Sequence, residues 1–387
     1  MTAQSNPKRM PGRGKRALFA GVGSALVLAL LELIGVFFYF IVLSKPSRQM
    51  IELTLGMQKP FQYGTMSLHY KPHPYFNYTF NPDFTYPDGR KPYNAHGFRM
   101  PEWPGRKSRG TLRIVALGAS TTYGMFATSG ETVWPAMVER ALQKRFSLPI
   151  EVYNLGVPGY TTHEILGVLC MLVPELEPDM VLIHCGANDA FAQAYPDEGG
   201  PDNTRFRFSW NYRPLPAPVR LAMRASYLLR TIGVLFFSRG SYLPGDVLKL
   251  VQYPPPAGDQ ALKNSHNAKG KYFRRNLKTM VAVARDLGAV PILINHPLNP
   301  KWDNMQEPYY RAIVESHLRC NRIGQELAQE IQVPIIDLFP WMRDAQLFVD
   351  AIHVNDGGMK LKARIIEKYL AAFVREKWQG GVSPAAR

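Results

Sequence analysis

The sequence predicts an α/β protein with a doubly wound, flavodoxin-like parallel sheet of about five strands, helices on both faces and one N-terminal transmembrane helix. Two observations lead to this prediction. From residue 111 onward, short apolar runs alternate with longer stretches whose apolar residues recur at helical spacing. Strands that alternate with helices form a parallel sheet covered on both sides. Near the N-terminus, residues 17–43 form an apolar run with a single charged residue, Glu32.

The α/β region contains five predicted strands and five main helices. The strands cover residues 112–117, 150–155, 180–185, 290–295 and 333–338. The helices cover residues 132–146, 162–172, 272–287, 309–331 and 357–373. Residues 190–270 interrupt the alternation, and this stretch is too long for an ordinary connection between elements.

The apolar run near the N-terminus is long enough to cross a membrane. A helix over residues 17–43 would extend about 40 Å at ~1.5 Å per residue, whereas the hydrocarbon core of a bilayer is ~30 Å thick. A cleaved signal peptide is the alternative, but its apolar region is only about 7–15 residues long, so we expect an uncleaved anchor. Residues 1–16 carry five cations and no acid. This charge favours a cytoplasmic N-terminus and an exported, periplasmic or extracellular, remainder.

Two features leave alternatives open. Glu32 is interpreted most simply as a protonated carboxyl or one that snorkels to the interface, and a contact with a partner helix is the alternative. Residues 218–238 are predicted to form one basic amphipathic helix that carries Arg220, Arg224 and Arg230. We expect it to pack on the domain with its arginines in solvent. A lid, or a helix that lies on the membrane surface, is the alternative.

Composition narrows the choice of partners. The 387 residues carry a net charge of +16. Zinc-finger spacing and long basic runs do not occur, so we expect no nucleic-acid partner, whereas anionic lipid head groups or acidic glycans suit an exported basic domain. Cys170, Cys185 and Cys320 lack metal-ligand spacing, and a disulfide between Cys170 and Cys320 stays open.

Chemically coherent side chains follow the predicted strands. Ser120 follows the first strand, Gly156 the second and Asn188 the third, and Asp350 and His353 follow the fifth. The carboxyl ends of parallel strands meet at one edge of a sheet, where ligands bind. A serine becomes a nucleophile when a histidine takes its proton and a carboxylate orients that histidine, and an asparagine amide can stabilise an oxyanion. The pattern therefore predicts Ser120 as nucleophile, His353 as general base and Asp350 as orienting acid.

Structural roles compete with these assignments. Ser120 could be a helix N-cap, and the acid–histidine pair could be a surface helix cap. Asp189 and Asp356 are rivals for the acidic role. Asp189 is expected instead to fix the loop that positions Asn188, and Asp356 to be the N-cap of the last helix.

Further histidines lie near the predicted edge. His296 follows the fourth strand and is a candidate substrate contact. His184 lies within the third strand and is expected to be a core histidine. None of the histidines or cysteines forms a cluster with metal-ligand spacing, so we expect no metal and no cofactor.

The four sequence blocks together resemble the SGNH (GDSL-like) hydrolase family, whose motifs supply Ser, Gly, Asn and His in this order. Ser120 lies in Gly-Ala-Ser where the family usually has Gly-Asp-Ser, Gly156 in Asn-Leu-Gly and Asn188 in Gly-Ala-Asn-Asp, while Asp350 and His353 form Asp-x-x-His. The resemblance covers about residues 111–375. It implies an oxyanion hole made by the backbone N–H groups of Ser120 and Gly156 and the side-chain amide of Asn188. Glycine at position 156 is expected to let the substrate approach the backbone.

The resemblance also implies an activity and an organisation. The expected activity is that of a membrane-anchored serine esterase that hydrolyses O-acyl esters, acetyl foremost, of an envelope glycan or lipid. The alternatives are an O-acyltransferase that modifies a cell-envelope polysaccharide and a non-catalytic binding subunit, and an envelope protein partner stays open. The expected segments are a cytoplasmic tail (1–16), an anchor (17–43), a Pro- and aromatic-rich entry segment (44–110), the hydrolase domain (111–375) with its insertion (190–270), and a tail (376–387). We expect the entry segment to be an extended strap on the catalytic domain, and a separate binding module is the alternative.

Overall fold

The computed structural model describes residues 13–43, 48, 69–86, 89–103, 105–207, 217–237 and 252–376. These residues form two compact units. The described residues up to 48, together with 217–237, form one unit, which we call the helical unit. The described residues within 69–207 and 252–376 form the other, which we call the sheet unit.

The sheet unit contains an antiparallel hairpin and a five-stranded parallel sheet. The strands are β1 (Tyr70–His73), β2 (Asn77–Phe80), β3 (Leu112–Gly118), β4 (Ile150–Gly156), β5 (Met180–His184), β6 (Val290–Asn295) and β7 (Ile335–Asp337). The order of the parallel sheet is β4-β3-β5-β6-β7, so its first strand lies between two neighbours. The predicted α/β sheet of five strands is confirmed, and its predicted strand ends differ from the observed ones by at most two residues.

Eleven α-helices lie within the described residues. They are α1 (Arg13–Phe37), α2 (Ser120–Tyr123), α3 (Trp134–Arg145), α4 (Thr162–Met171), α5 (Ala187–Ala192), α6 (Ala217–Ala225), α7 (Tyr227–Phe237), α8 (Gly258–Asn267), α9 (Lys271–Asp286), α10 (Pro308–Glu330) and α11 (Asp356–Val374). The five helices predicted around the sheet correspond to α3, α4, α9, α10 and α11. Short 3₁₀ turns occur at Gly130–Thr132, Val173–Leu176, Pro196–Gly199, Pro300–Trp302 and Ala345–Leu347.

Helices cover the two faces of the parallel sheet. Helices α3 and α11 pack against each other and share one core with the strands, in which Trp134 and Ile366 are fully buried. Helices α4, α9 and α10 pack on the sheet from the other side. Replacing a buried tryptophan such as Trp134 by alanine would cost about 3–5 kcal/mol of stability. This two-sided burial holds the strand ends, and the loops that follow them, in fixed register.

The Pro- and aromatic-rich segment contributes its described parts, residues 69–86, 89–103 and 105–110, to the sheet unit. Pro72 lies in β1 of the isolated hairpin, where a missing backbone donor is tolerated. The Tyr78 hydroxyl donates to Pro158 O at 2.8 Å, and the Tyr160 hydroxyl donates to Tyr78 O. These bonds fasten the hairpin to the loop after β4. Residues 44–47, 49–68, 87, 88 and 104 of this segment lie outside the described residues.

The helical unit contains the predicted anchor. Helix α1 continues as a π-helical turn, Phe38–Val42, and residues 17–42 are long and apolar enough to cross a membrane. The predicted single helix over 218–238 is wrong, because the chain forms α6 and α7 with a break at Ser226. The Ser226 hydroxyl accepts a hydrogen bond from Leu229 N at 3.1 Å, so it caps α7 and ends the continuous helix.

The insertion at 190–270 is divided between the two units. Residues 217–237 belong to the helical unit, whereas α8 belongs to the sheet unit and packs on α10. A buried hydrogen bond of 2.8 Å joins Ser265 Oγ in α8 to Ser316 Oγ in α10. Cys170, Cys185 and Cys320 are all free thiols.

Candidate active site

The side chains predicted for the site lie beyond the carboxyl ends of neighbouring strands. Ser120 is the first residue of α2, directly after β3, and is 5% exposed. Gly118, the last residue of β3, pairs with Gly156 of β4 and with His184 of β5. Asn188 lies in α5 after β5, and the loop with His353 lies between β7 and α11. The topology therefore delivers the predicted groups to one edge of the sheet.

Ser120, His353 and Asp350 form a continuous hydrogen-bonded relay. His353 Nδ1 lies 2.7 Å from Asp350 Oδ2, and because an ionised carboxylate only accepts, Nδ1–H is the donor. In the neutral imidazole Nε2 is then the acceptor, and the Ser120 hydroxyl donates to it at 2.7 Å. This is the geometry that a serine needs to lose its proton to a histidine.

The loop itself fixes the acid of this relay. Asp350 Oδ1 accepts hydrogen bonds from the backbone N–H groups of Ile352 and His353 at 2.9 and 2.8 Å. Burial acts to raise the pKa of Asp350, but the bonds from the His353 side chain and from these two amides outweigh it, and the net shift is downward. A carboxyl with a lowered pKa stays ionised at neutral pH, as an orienting acid must.

Two of the three predicted oxyanion donors, the Gly156 N–H and the Asn188 amide, already make hydrogen bonds within the protein. The Gly156 N–H donates to Asn154 Oδ1 at 3.0 Å, and one amide hydrogen of Asn188 is donated to Tyr160 O at 2.8 Å. A Cβ at position 156 would lie 2.8 Å from the Thr122 carbonyl carbon and closer still to Tyr123 N. The close passage of α2 therefore requires glycine at this position.

The sequence of this chain matches a known protein family. The profile of the GDSL-like Lipase/Acylhydrolase family matches residues 116–361, more than half of the chain. The chain belongs to this family. The resemblance predicted from the sequence blocks is confirmed, and the protein is a serine hydrolase that acts on ester bonds.

Solved structures of low sequence identity are similar to this GDSL-like hydrolase. A lipase/acylhydrolase from Enterococcus faecalis is 20% identical, with a TM-score of 0.39 over 67% of this chain and 95% of that one. An acetylxylan esterase from Geobacillus stearothermophilus is 18% identical, with a TM-score of 0.39 over 66% of this chain and 93% of that one. A GDSL-like lipase from Bacteroides thetaiotaomicron is 13% identical, with a TM-score of 0.39 over 67% and 88%. No curated protein matches the chain.

Both rival acids of the GDSL-like hydrolase are occupied elsewhere. Asp189 Oδ1 accepts from Thr162 N at 3.1 Å and from Thr162 Oγ1 at 2.5 Å, so it ties α5 to the start of α4. Burial raises its pKa. Asp356 accepts from Thr128 N at 3.0 Å and from its hydroxyl at 2.6 Å. Asp356 was expected to be the N-cap of α11, but that cap is Asn355, which accepts from Gly358 N at 3.1 Å.

Sequence reasoning missed two residues beside the relay. Asn299 Nδ2 donates to Asp350 O at 3.0 Å, and Asn299 N donates to Ala351 O at 2.8 Å, so it holds the loop that carries the acid. The Phe126 ring meets the His353 ring edge-on, with centroids 5.5 Å apart. Phe126 is half exposed and has a positive φ of 68°, which is rare for an aromatic residue. Neither residue lies in a motif that sequence could reveal.

A layer of buried basic groups lies behind the nucleophile. His184 Nδ1 and Thr122 Oγ1 are hydrogen-bonded at 2.9 Å, and the His184 ring stacks on His296 with centroids 3.9 Å apart. His296 in turn meets His317. His184 is a core histidine as predicted, and His296 is 1% exposed. The candidate substrate contact of His296 would thus require the ring to leave the interior.

The same layer supports the helix that begins at Ser120. Lys362 Nζ and Trp134 Nε1 both donate to Thr121 O, at 3.2 and 3.1 Å. Burial lowers the pKa of Lys362 well below its usual range. Within the part of the chain that the structure describes, no group of three or more His, Cys, Asp or Glu residues could hold a metal ion.

Proposed function

We propose that this protein is a membrane-anchored serine esterase that hydrolyses O-acyl esters, acetyl foremost, of an envelope glycan or lipid on the exported side of the cytoplasmic membrane. One observation carries the chemistry: the Ser120 hydroxyl donates to His353 at 2.7 Å, and His353 donates to Asp350 at 2.7 Å. An acid, a base and a nucleophile in this order suit acyl transfer from an ester to serine.

The proposed reaction has two halves. His353 Nε2 takes the proton of Ser120 while Oγ attacks the ester carbonyl carbon, and the carbonyl oxygen becomes the oxyanion. The intermediate then expels the alcohol, which receives the proton from His353. In the second half His353 takes a proton from water while the water oxygen attacks the acyl carbon. The bond between that carbon and Oγ then breaks, Oγ receives the proton from His353, and the carboxylic acid leaves. Asp350 keeps the imidazole in the required tautomer and stabilises it while it is charged.

The proposed oxyanion hole consists of the Ser120 N–H, the Gly156 N–H and the Asn188 amide. The Asn188 amide carries two hydrogens, and the bond to Tyr160 O uses one and orients the other. The Gly156 N–H would have to be shared with Asn154 Oδ1, which it meets at 3.0 Å. Asn188 is therefore the stronger of the two donors in this proposal.

The proposed preference for a short acyl group follows from the enclosure of the nucleophile. Ser120 is 5% exposed, and the Phe126 ring stands against the base. A long acyl chain would need a channel beside these groups, whereas an acetyl group needs little room. The preference for a glycan or lipid of the envelope rests on the anchor and on the basic charge of the chain.

Membrane anchoring is supported at both ends of the apolar helix. Five cations precede it within residues 1–16. Beyond its other end, the Arg48 guanidinium donates to Phe40 O at 2.7 Å and Leu43 O at 2.8 Å, which satisfies terminal carbonyls with a cation of the kind that favours an interface. We take this end to be the exported one.

The decisive experiment is fluorophosphonate labelling of the full-length protein in detergent, followed by hydrolysis of acetyl, butyryl and octanoyl esters. We expect labelling and acetyl ester hydrolysis, both of which Ser120→Ala abolishes and Ser129→Ala, at an exposed capping serine, leaves intact. Labelling with transfer of the acyl group to an added polysaccharide, instead of water, would make the protein an O-acyltransferase. A folded protein without labelling or ester turnover would be a binding subunit.

A further inference from the structure

The charged residue of the apolar helix has a partner within the same unit. Glu32 Oε1 accepts from Tyr227 N at 2.5 Å, and Oε2 accepts from the Ser226 hydroxyl at 2.7 Å and from Leu228 N at 3.4 Å. These backbone groups are the first donors of α7, which lack partners inside the helix. Glu32 therefore caps α7 with a carboxylate at the positive end of the helix. The simpler interpretation from sequence, a carboxyl without a partner helix, is not what the structure contains.

A second charge completes the break between α6 and α7. Arg230 Nε donates to Met223 O at 2.7 Å, and its Nη2 donates to Arg224 O, so the guanidinium satisfies carbonyls at the end of α6. Arg230 is buried, and its guanidinium lies over the Tyr227 ring at 4.3 Å. Glu32 thus accepts hydrogen bonds from backbone donors at the break, and Arg230 donates to backbone acceptors there. In aqueous solution water would hydrogen-bond to such backbone groups, whereas the hydrocarbon of a bilayer cannot.

Helix α7 also packs closely on the anchor. A Cβ at Gly35 would lie 2.5 Å from Leu228 Cα, so only glycine lets the two backbones pass. The Thr231 hydroxyl meets Gly35 O at 3.3 Å, and the rings of Tyr39 and Tyr227 meet with centroids 5.2 Å apart. Small residues and a hydroxyl at a close crossing are the means by which helices associate inside membranes.

The contact lies deep within the apolar run. Glu32 precedes Leu43, where Arg48 binds the end of the helix, by 11 residues. At ~1.5 Å per residue this is about 16 Å, half of a ~30 Å hydrocarbon core. Leu221, Leu229 and Ile232 of α6 and α7 are exposed in the structure, as are most side chains of the apolar helix. Their apolar surface continues that of the anchor.

We infer that the broken helix α6–α7 is embedded in the apolar layer of the bilayer beside the anchor, and that Glu32 and Arg230 make this possible by satisfying its break. The inference rests on the proposed membrane anchoring. It gives the enzyme two membrane attachments instead of one, with lipid acyl chains as the partner of the exposed face of α7.

Quenching of a fluorophore at chosen positions tests the lipid contact. Full-length protein with Cys170→Ser, whose remaining cysteines are buried, receives one NBD-labelled cysteine and is reconstituted in phosphatidylcholine–phosphatidylglycerol vesicles. The test position is Leu229→Cys. Leu28→Cys in the anchor is the lipid-exposed control, and Tyr75→Cys in the sheet unit is the water-exposed control. Doxyl groups on the acyl chains and aqueous iodide are the two quenchers.

We expect the fluorophore at 229 to behave like that at 28, with loss of fluorescence to doxyl lipid and none to iodide. Quenching at 28 by doxyl lipid, but at 229 by iodide, would overturn the inference while leaving the anchor intact. Protection of 229 from both quenchers would also overturn it, because another protein surface would then cover α7. Failure at 28 itself would remove the proposed anchoring, and the inference with it.

Hydrogen exchange tests the role assigned to Glu32. In Glu32→Ala the amides of Tyr227 and Leu228 should exchange about tenfold faster in vesicles, which is the usual effect of removing a helix cap. Glu32→Gln keeps an acceptor oxygen and should restore most of the protection. Leu33→Ala, on the exposed side of the same helix, is the control and should change nothing. Unchanged exchange in Glu32→Ala would exclude the cap.

Discussion

The relay at the sheet edge and the break in the helical unit both join a serine to a carboxylate, with opposite results. At the sheet edge, His353 stands between Ser120 and Asp350 and bonds to each at 2.7 Å. In the helical unit, the Ser226 hydroxyl donates directly to Glu32 at 2.7 Å. An imidazole can take a proton near neutral pH, whereas an ionised carboxylate is far too weak a base to take one from a serine. The intervening group, and not the serine or the acid, separates a reactive site from a structural one.

The two regions also differ in how completely their polar groups are satisfied. The helical break uses Glu32 and Arg230 to occupy backbone donors and acceptors, which leaves little capacity for a ligand. The sheet edge keeps hydrogen-bonding capacity for a ligand, since Asn188 donates one of its two amide hydrogens to Tyr160 O. We expect the same acid-to-amide change to separate the two regions sharply.

Asp350→Asn should produce the largest loss of activity. The amide would donate to His353 Nδ1, so Nε2 would carry the hydrogen and could not take the proton of Ser120. A loss of kcat of about 10⁴ is expected from this change of tautomer. Glu32→Gln is the matched control and should leave hydrolysis of a short soluble acetyl ester within about twofold. Equal losses in both variants would mean that the helical unit takes part in the chemistry.

Asn188→Ala should have the next largest effect. Removal of one oxyanion donor lowers kcat by about 10²–10³. KM for an acetyl ester should change little, because the bond strengthens only when charge develops on the oxygen. Steady-state kinetics on a soluble acetyl ester measure both constants. A rise in KM at constant kcat would make Asn188 a ground-state contact.

Local signals explain why so much of the sheet edge could be predicted. Strand and helix periodicity located β3 to β7 and the five main helices, and a parallel sheet brings strand ends together whatever lies between them. Asp350 and His353 are three residues apart, so their contact depends on one turn of the chain. Phe126 and Asn299 escaped because their roles arise from loop conformation, which no periodic pattern encodes.

The contacts of the helical unit lay beyond such signals. Glu32 and Ser226 are 194 residues apart, and the sequence around neither residue predicts their contact. The amphipathic pattern over 218–238 continues through Ser226, so periodicity predicted one helix where capping by Ser226 and Glu32 makes two. The steric need for glycine at position 156 was likewise not visible in the sequence, because the close passage of α2 is a tertiary contact.

The buried histidines should make the sheet unit sensitive to acid. Burial lowers the pKa of His317 to about 4, and it lowers those of His184 and His296. In the unfolded chain these histidines bind a proton near the ordinary pKa of 6.5. The stability of the fold with neutral histidines is therefore complete above that pH, and it is lost as the pH falls towards 4.

His317→Leu tests this pH dependence. One such group contributes a slope of about 1.4 kcal/mol per pH unit, so the variant should lose its stability less steeply between pH 6.5 and 4 by about that amount. Chemical unfolding in detergent at several pH values, followed by near-ultraviolet circular dichroism, measures the slope. An identical slope in wild type and variant would mean that His317 is protonated in the folded protein. Tyr75→Leu, at an exposed site, is the control.

Removal of the anchor should change activity least and membrane behaviour most clearly. A chain that begins at residue 46 keeps the whole sheet unit, so hydrolysis of a soluble acetyl ester should stay within about twofold of the full-length value. It loses Glu32, however, which leaves the first amides of α7 without their acceptor and uncovers the surface that Gly35 contacts. The truncated protein should therefore still float with phosphatidylcholine–phosphatidylglycerol vesicles, and Leu229→Gln with Ile232→Gln should weaken this binding. If the truncated protein stays fully in the aqueous phase, α6 and α7 have no affinity of their own for lipid, and the anchor alone joins the sheet unit to the membrane.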